Sequence, residues 1–490
     1  MSPQNIIQPT VEQLESVFLL HKEAPDMTAS RVLTGSQKIF LFLMCAALAA
    51  GLALRPIGTL LVINGLFLSF YLVLSAYKIF LIDASLRHDQ DLDFSEDEIR
   101  SLKDEDLPIY TVLVPLYHEA ETLSRLVDGL SRLDYPKDKL DVILLLEEDD
   151  TETREAASRM DMPDFIRQLV VPHGQPKTKP KACNLGLACA RGEYLVIYDA
   201  EDRPQPDQLK KAVLGFRKSP PEVVCIQAKL NFYNQKFNLL THWFTMDYSV
   251  WFDLYLPALD RLSAPIPLGG TSNHFITQKL RDVRGWDPYN VTEDADLGIR
   301  LASNGFITRT LNSTTWEEAC SHLGFWIRQR SRWTKGYIQT YLVHMRHWHR
   351  LLSNVGLWKW LSFQLIVGGT PLCLLINPIY WLLTIIWFTL RWESVSLLFP
   401  FPVILFGLLC LFVGNFVFIY SSMLACYRRG YYHVVRYGLI LPVYWIAMSV
   451  GAWKGFLQLI TRPSYWEKTK HGFDLPASST ESIQHAAEGT

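Results

Sequence analysis

Charge is scarce in this 490-residue chain: 20% of its residues are Asp, Glu, Lys or Arg, against roughly a quarter in an ordinary soluble protein. The 47 basic and 49 acidic residues leave a formal net charge of -2. No global field exists to hold a polyanion, which excludes nucleic acid as the main partner. Cysteine is sparse too. Its eight residues (Cys45, Cys183, Cys189, Cys225, Cys320, Cys373, Cys410, Cys426) are scattered, without CxxC or the paired spacing of a zinc site, which suits a reducing, cytoplasmic setting. Apolar residues are plentiful, 49% hydrophobic and 13% aromatic, and exclude a disordered chain.

Those apolar residues collect at the two ends. Residues 39–54 and 56–77 hold no charge, with Arg55 alone between them; 360–390 and 394–427 are likewise uncharged, and 437–460 carries only Lys454. About 20 apolar residues span the hydrocarbon of a bilayer. One such run is compatible with a buried core helix, but four or five read as membrane helices. The first begins too late for a cleavable signal peptide, and a second follows at once. Gly368, Gly369, Pro371 and the Asn377, Pro378 pair interrupt the run after Trp360. One broken span, an interfacial helix plus a span, and a helical hairpin all fit, so the number of C-terminal passes stays open.

The middle, residues 87–350, is charged and regular. Continuous apolar stretches at 110–114, 141–146, 166–171 and 194–198 read as buried strands, the first ended by Pro115. Helical patterns follow at 119–133 and from Thr151, Lys181 and Pro206. This alternation predicts a parallel sheet covered on both faces, whose ligands sit at the carboxyl ends of its strands. Those ends are polar each time: Tyr117, His118 and Glu119; Glu147, Glu148, Asp149 and Asp150; Lys177 to Lys181; then Asp199, Glu201 and Asp202. Taken alone, the acids 147–150 are as well read as a helix N-cap or a solvated turn. Asp199 and Glu201 are more telling, because alternate carboxylates on a tight turn can face one hard cation such as Mg2+ or Mn2+. The segment TEDADLGIRL at 292–301 also fits an amphipathic helix with an acidic first turn, and Trp333 an interfacial aromatic.

With five landmarks in order, the chain resembles the processive, membrane-embedded family 2 glycosyltransferases, the bacterial cellulose, hyaluronan and poly-N-acetylglucosamine synthases. These are VLVPLYHEAETL, KPKACNLGL, YDAEDRP where the Asp-x-Asp metal motif belongs, Thr292-Glu293-Asp294, and Gln329, Arg332 and Trp333 of a Gln-x-x-Arg-Trp motif. The segments IPLGGTSNHF and WDPYNVTED are similar to an exopolysaccharide-linked branch. Two departures stand out: the metal motif is Asp-Ala-Glu, and the paired aspartates after the second strand are replaced by Glu147 and Glu148.

The resemblance implies an α/β fold, a GT-A (Rossmann-like) cytoplasmic glycosyltransferase domain flanked by transmembrane α-helices, in the cell inner (plasma) membrane. The implied reaction is inverting and metal-dependent, with Mg2+ or Mn2+. A nucleotide sugar, UDP-glucose or UDP-N-acetylglucosamine, elongates a β-linked exopolysaccharide that is passed across the membrane. The alternative is transfer of one sugar to a polyprenyl phosphate or lipid. Implied partners are the UDP-sugar donor, the growing polysaccharide, the lipid bilayer and accessory export subunits. By position Asp294 is the general base, a carboxylate whose acidic neighbours Glu293 and Asp296 would raise its pKa. Asp199 and Glu201 hold the metal. Tyr117, Glu119, Glu148, Lys181 and Asp199 bind the nucleotide sugar, and Glu293, Gln329, Arg332 and Trp333 bind acceptor and diphosphate.

The expected map is a cytoplasmic N-terminal segment (1–36), two transmembrane helices (37–83), the catalytic domain with interfacial helices (84–350), C-terminal transmembrane helices (351–462) and a cytoplasmic tail (463–490) that ends disordered. The aromatic stretch 237–259 fits a core helix or, preferably, one lying in the bilayer surface. The basic stretch 325–348 reads as an amphipathic helix on an anionic leaflet. Cations at 346–350 close to a span place the domain inside. With Arg428, Arg429 and Arg436 inside, a single last span would put Arg462, Lys468 and Lys470 outside, against the same rule. The family layout keeps that tail cytoplasmic.

Overall fold

Period-two alternation builds the centre of the molecule. The computed structural model describes residues 6–87, 91–390 and 397–465, and the tail beyond 465 lies outside them. Nine strands among the described residues form one sheet: β1 (Ile6–Ile7), β2 (Tyr110–Leu116), β3 (Leu140–Glu147), β4 (Ile166–Val171), β5 (Tyr194–Ile197), β6 (Arg203–Pro204), β7 (Val223–Phe232), β8 (Asn273–Ile276) and β9 (Ile307–Glu317), in the order β1-β4-β3-β2-β5-β8-β7-β9-β6. Along β2 and β3, Leu113, Ile143 and Leu145 enter one core, while Val112, Val114, Val142 and Leu144 enter the other. Every residue of β3 is buried, as expected of a strand covered on both faces.

The expected parallel sheet is corrected to a mixed one. From β1 to β5 all pairings are parallel. Strand β8 then enters antiparallel to both β5 and β7, β9 lies parallel to β7, and β6 antiparallel to β9. β8 follows the helical segment 239–261 and a loop at 262–272, and that loop returns the chain antiparallel between β5 and β7. β2 also continues past Pro115 to Leu116. The helix expected over 119–133 is shortened to Leu123–Ser131, because the turn before it is held by Asp150 and Thr153.

Helix Lys179–Cys189 packs tightly under β2 and β3. A Cβ at Gly186 would stand 2.9 Å from a methyl of Leu113 and 3.0 Å from one of Leu145, so glycine permits the approach that carries this helix's lysines to the sheet edge.

The N-terminal residues, expected as a segment apart from the domain, are part of it. β1 extends the sheet beside β4. Asn184 donates to the Val17 carbonyl at 2.9 Å, the Ala29 amide donates to Asp287 at 2.6 Å, and Arg346 donates to the carbonyls of Asp26 and Thr28 at 2.8 Å. The segment has no apolar period, so its sequence did not reveal the strap. Two further expectations change. Helix Leu239–Val250 is largely buried, packed on helix Asn415–Arg428. Helix Leu323–His344 buries Arg330 and Lys335 instead of spreading them on a lipid surface. In both cases protein covers the face that was assigned to lipid.

Five helices among the described residues are long and apolar enough to cross a membrane: 35–54, 56–87, 357–386, 401–428 and 432–461. Phe40, Phe42, Phe401 and Phe412 are exposed on these helices, which suggests membrane association. Between them, helix Pro56–Arg87 presents polar residues every seven positions. Asn64 donates to Leu398 and accepts from Tyr380, both at 2.7 Å, Tyr71 donates to Asn377, and Ser85 donates to Asp253 at 3.2 Å. Such bonds join helices where apolar surface alone gives little preference.

Gly186→Val is expected to destabilise the protein by about 1–3 kcal/mol through overpacking. Thermal unfolding in detergent should show a melting temperature several degrees lower; an unchanged midpoint would contradict this packing.

Candidate active site

The polar ends of β2 to β5 meet along one rim. After β2 the chain turns sharply, with His118 at φ 55°. The turn is pinned from β3: Asp150, which caps helix Thr151–Arg159 by accepting from Thr153 at 3.2 Å, also accepts the His118 amide at 2.5 Å. Burial opposes ionisation of Asp150, yet these amides hold its carboxyl below the ordinary range. The Lys177 ammonium lies 3.7 Å from the Tyr117 ring centroid and bonds Asp149 at 2.6 and 2.8 Å. Glu119 accepts from Thr122 at 3.2 Å. Of the expected pair, Glu148 is exposed and accepts the His173 amide at 2.7 Å. Glu147 is the buried one, with one oxygen lacking a hydrogen-bond partner. Burial raises its pKa, and Lys181 and Lys177 work against the rise.

Two lysines of helix Lys179–Cys189 divide the work. Lys181, the expected nucleotide ligand, donates to the carbonyls of Pro172 at 2.6 Å and Gly174 at 3.2 Å and so shapes the loop after β4. Lys179, part of the polar stretch Lys177 to Lys181 but not named among the expected ligands, pairs with Asp199 and donates to the Gly270 carbonyl at 2.7 Å. Burial disfavours its charge, but Asp199 and Glu293 more than restore it.

Beyond β5 the acids gather. Asp202 is buried and accepts the Asp199 amide at 2.7 Å and the Thr271 hydroxyl, while its other oxygen has no hydrogen-bond partner. Burial and the charges of Asp199 and Glu201 push its pKa well up. Glu317 at the end of β9 is raised well up by burial and by Asp202, Glu201 and Asp199. Among the described residues, no three His, Cys, Asp or Glu side chains form a ready-made metal cage.

Helix Glu293–Ser303 brings the second acidic pair. Burial and the neighbouring charge of Asp294 raise Glu293 to about 8. Burial also raises Asp294, opposed by the Ala295 amide at 2.8 Å and by Lys179 and Arg332. A Cβ at Gly270 would sit 3.4 Å from an Asp294 oxygen, so the residue whose carbonyl holds Lys179 also borders Asp294. Behind this pair lies a network that the sequence did not disclose. Asp296 accepts from Arg300 at 2.8 Å and lies 2.9 Å from His344, and Arg300 donates to the carbonyls of Val283 and Gly285 at 2.8 and 2.7 Å.

Helix Leu323–His344 closes the site. Arg332 lies among Glu293, Asp294 and Asp199; burial lowers its pKa and those carboxylates oppose the fall. Gln329 is buried, with its amide oxygen lacking a hydrogen-bond partner. Trp333 is ringed by Phe244 and Tyr248, at centroid distances of 6.0 and 6.3 Å, and the Arg330 guanidinium lies 4.6 Å from its ring. The geometry therefore joins Lys179, Asp199, Glu293, Asp294 and Arg332 electrostatically, with Trp333 on the same helix as Arg332.

The family model described as "Glycosyl transferase family group 2" matches residues 194–448, more than half of the chain. The chain belongs to this family. The family 2 enzyme is 26% identical over 283 residues to the probable glycosyltransferase YdaM of Bacillus subtilis, covering 55% of this chain and 64% of that one. It is 28% identical over 241 residues to the probable glucomannan 4-beta-mannosyltransferase 7 of Oryza sativa subsp. japonica (47% and 40%), and 26% identical over 277 residues to the beta-monoglucosyldiacylglycerol synthase of Trichormus variabilis (54% and 57%). It thus spans less than two thirds of the length of each of these relatives. Among solved structures it is similar to the mannosyltransferase PcManGT of Pyrobaculum calidifontis in complex with GDP-Man and Mn2+, with 16% identity and a TM-score of 0.49, covering 80% of this chain and 98% of that one. It is also similar to S. aureus TarS 1–349 in complex with UDP, with 12% identity and a TM-score of 0.37, covering 75% and 98%.

For this glycosyltransferase Lys179→Met is expected to weaken binding of the donor nucleotide, tested with UDP and with GDP, about 10- to 100-fold, as loss of a charge-assisted contact of about 1.5–3 kcal/mol implies. Lys181→Met should weaken it less, because its carbonyl contacts shape a loop. Titration calorimetry in detergent checks the order, and the reverse order would contradict the assignment.

Proposed function

We propose that this glycosyltransferase performs an inverting transfer from a UDP-sugar, with glucose or N-acetylglucosamine as the sugar, and elongates a β-linked polysaccharide at the cytoplasmic face of the inner membrane. The observation that carries this reading is the buried pair Glu293 and Asp294, set beside Lys179, Asp199 and Arg332 on one rim. Burial raises the pKa of both carboxyls, and their cationic neighbours suit one of them to act as a base. Glu293, raised to about 8, holds a proton at neutral pH, while the Ala295 amide, Lys179 and Arg332 favour the charged form of Asp294 against its burial.

The hard oxygen donors favour a divalent cation. Asp199 and Glu201 add negative charge beside Asp202 and Glu317 and raise the proton affinity of those two, and Lys179 pairs with Asp199. Asp199 and Glu201 would hold Mg2+ or Mn2+, which supplies charge neutralisation to the departing diphosphate. Tyr117 offers a flat face at the rim for the nucleoside base, and Lys179 and Arg332 offer cations to the phosphates. Trp333, held by Arg330, Phe244 and Tyr248, offers an indole face to the acceptor sugar. The acceptor hydroxyl gives its proton to Asp294, its oxygen bonds to the sugar C1 from the side opposite the phosphate, and the C1–O bond breaks with its electron pair leaving on UDP.

One named relative is a beta-monoglucosyldiacylglycerol synthase, which favours a second reading in which one sugar is added to a lipid. Purified protein with labelled UDP-glucose or UDP-N-acetylglucosamine and Mn2+ separates the two. Long chains digestible by a glycanase support elongation, lipid-extractable monosaccharide supports the second reading, and no turnover contradicts both. Chelation by EDTA should abolish transfer.

Asp294→Asn is expected to lower kcat by about 10²–10⁴ while UDP binding persists. Glu293→Gln mimics the protonated acid and should stay within about tenfold at pH 7, since the bonds it keeps are worth about 1 kcal/mol each. The base must be ionised, so kcat/KM should fall as pH drops through the raised pKa of Asp294. The acid limb should lie above the ordinary Asp value of about 3.9. Full activity of Asp294→Asn would overturn the base.

A further inference from the structure

We infer that the last apolar helix, Leu441–Thr461, does not cross the bilayer but lies along the leaflet facing the catalytic domain, its exposed apolar stripe docked in that lipid surface. The inference rests on the membrane reading proposed above. By length and composition this helix passes for a span, but its neighbours forbid one.

Its partner is helix Leu323–His344, and the two run side by side in the same direction. Trp326 meets Tyr444 at 5.0 Å between ring centroids, and Arg330 donates to the Tyr444 hydroxyl at 2.9 Å. A Cβ at Gly451 would lie 3.1 Å from Arg330, and one at Gly455 would strike the Ser331 carbonyl, so the glycines let the backbones touch. Past the helix end, Lys335 donates to the Tyr465 carbonyl at 2.7 Å and Gln339 to the Pro463 carbonyl at 3.1 Å.

Helix Leu323–His344 cannot pass through hydrocarbon. Arg328, Arg330, Arg332 and Lys335 fall within eight residues, and each charge at a bilayer centre costs at least about 2.5–3.5 kcal/mol. Its second half is built into the catalytic domain: Thr340 accepts from Asn290 at 3.0 Å, Gln339 accepts the Val291 amide at 3.3 Å, and Gly336 abuts Thr292. A helix held parallel to it from Tyr444 to Thr461 has both ends at the domain. Its start is fixed there too, since Trp243 donates to the Tyr437 carbonyl at 3.1 Å.

The free face fits a lipid surface. Val443, Ile446, Val450, Trp453, Leu457 and Ile460 recur every three or four residues and are all exposed, the single apolar stripe of an in-plane helix. The stripe adjoins the spanning helix Gly369–Leu390, where Trp453 donates to the Leu375 carbonyl at 3.0 Å. Four crossings, 35–54, 56–87, 357–386 and 401–428, then remain, and Arg462 falls on the same side as Arg428, Arg429 and Arg436, as the positive-inside rule requires.

The test uses the full chain in two ways. Fluorescent-protein and alkaline-phosphatase reporters fused in turn to the C-terminus should report the catalytic side; phosphatase activity would overturn the inference. Nitroxides attached in nanodiscs at introduced cysteines replacing Val443, Val450 or Ile460, with Cys45 changed to Ala and parent signal subtracted, should show equal depths. Val443 and Ile460 are about 26 Å apart along the helix, so a depth difference approaching that would overturn it. Release of the unlabelled protein from membranes by alkaline carbonate would instead remove the membrane reading beneath it.

Discussion

Everything at the rim depends on how buried carboxylates are balanced by few cations. Asp199, Asp202, Glu293, Asp294 and Glu317 are drawn from three separate stretches of chain into a small volume, where Lys179 and Arg332 face them. Unpaired ions are too costly to bury, so the surplus must bind protons or a cation. Carboxyls with raised pKa values are the protein's answer without ligand, and a divalent ion with a diphosphate is the answer that the proposed donor brings. The same constraint explains why Lys179 pairs with Asp199 beside the Gly270 carbonyl.

The fold exists to hold that balance in place. Parallel strands β2 to β5 end at one edge, and the antiparallel entry of β8 turns the chain so that Gly270 and Thr271 border Asp294 and Asp202. Behind the acidic helix, Asp296, Arg300 and His344 fix it to helix Leu323–His344. The Ala29 amide holds Asp287, whose carboxyl is raised to about 7 by burial and by Asp296. The N-terminal strap therefore ties the sheet edge, the lysine helix and the acidic helix before the chain enters its first apolar helix.

Much of this was legible in the residues. The four parallel strands were plain because a strand buried on both faces is continuously apolar, and their polar ends named the rim. β7, with Gln227, Lys229 and Asn231 among its residues, carries no such signature. The strap was hidden because its bonds run through backbone carbonyls and single side chains. Lys179 and Lys181 are two residues apart on one helix, and only the loop after β4 decides which of them reaches Asp199. Asp296 and His344 lie 48 residues apart, and no local spacing announces such a pair. For helix Leu239–Val250, apolar rings at helical spacing fit lipid or protein equally well; its packing on helix Asn415–Arg428 decided for protein.

The central claim is that a single ionised carboxylate, Asp294, activates the acceptor for direct displacement, with no sugar attached to the enzyme on the way. The anomeric configuration of the first product, followed by NMR from an α-linked UDP-sugar before any spontaneous anomerisation, tests it most directly. The account predicts a β-linked product from the first turnover; an α-linked product would contradict it.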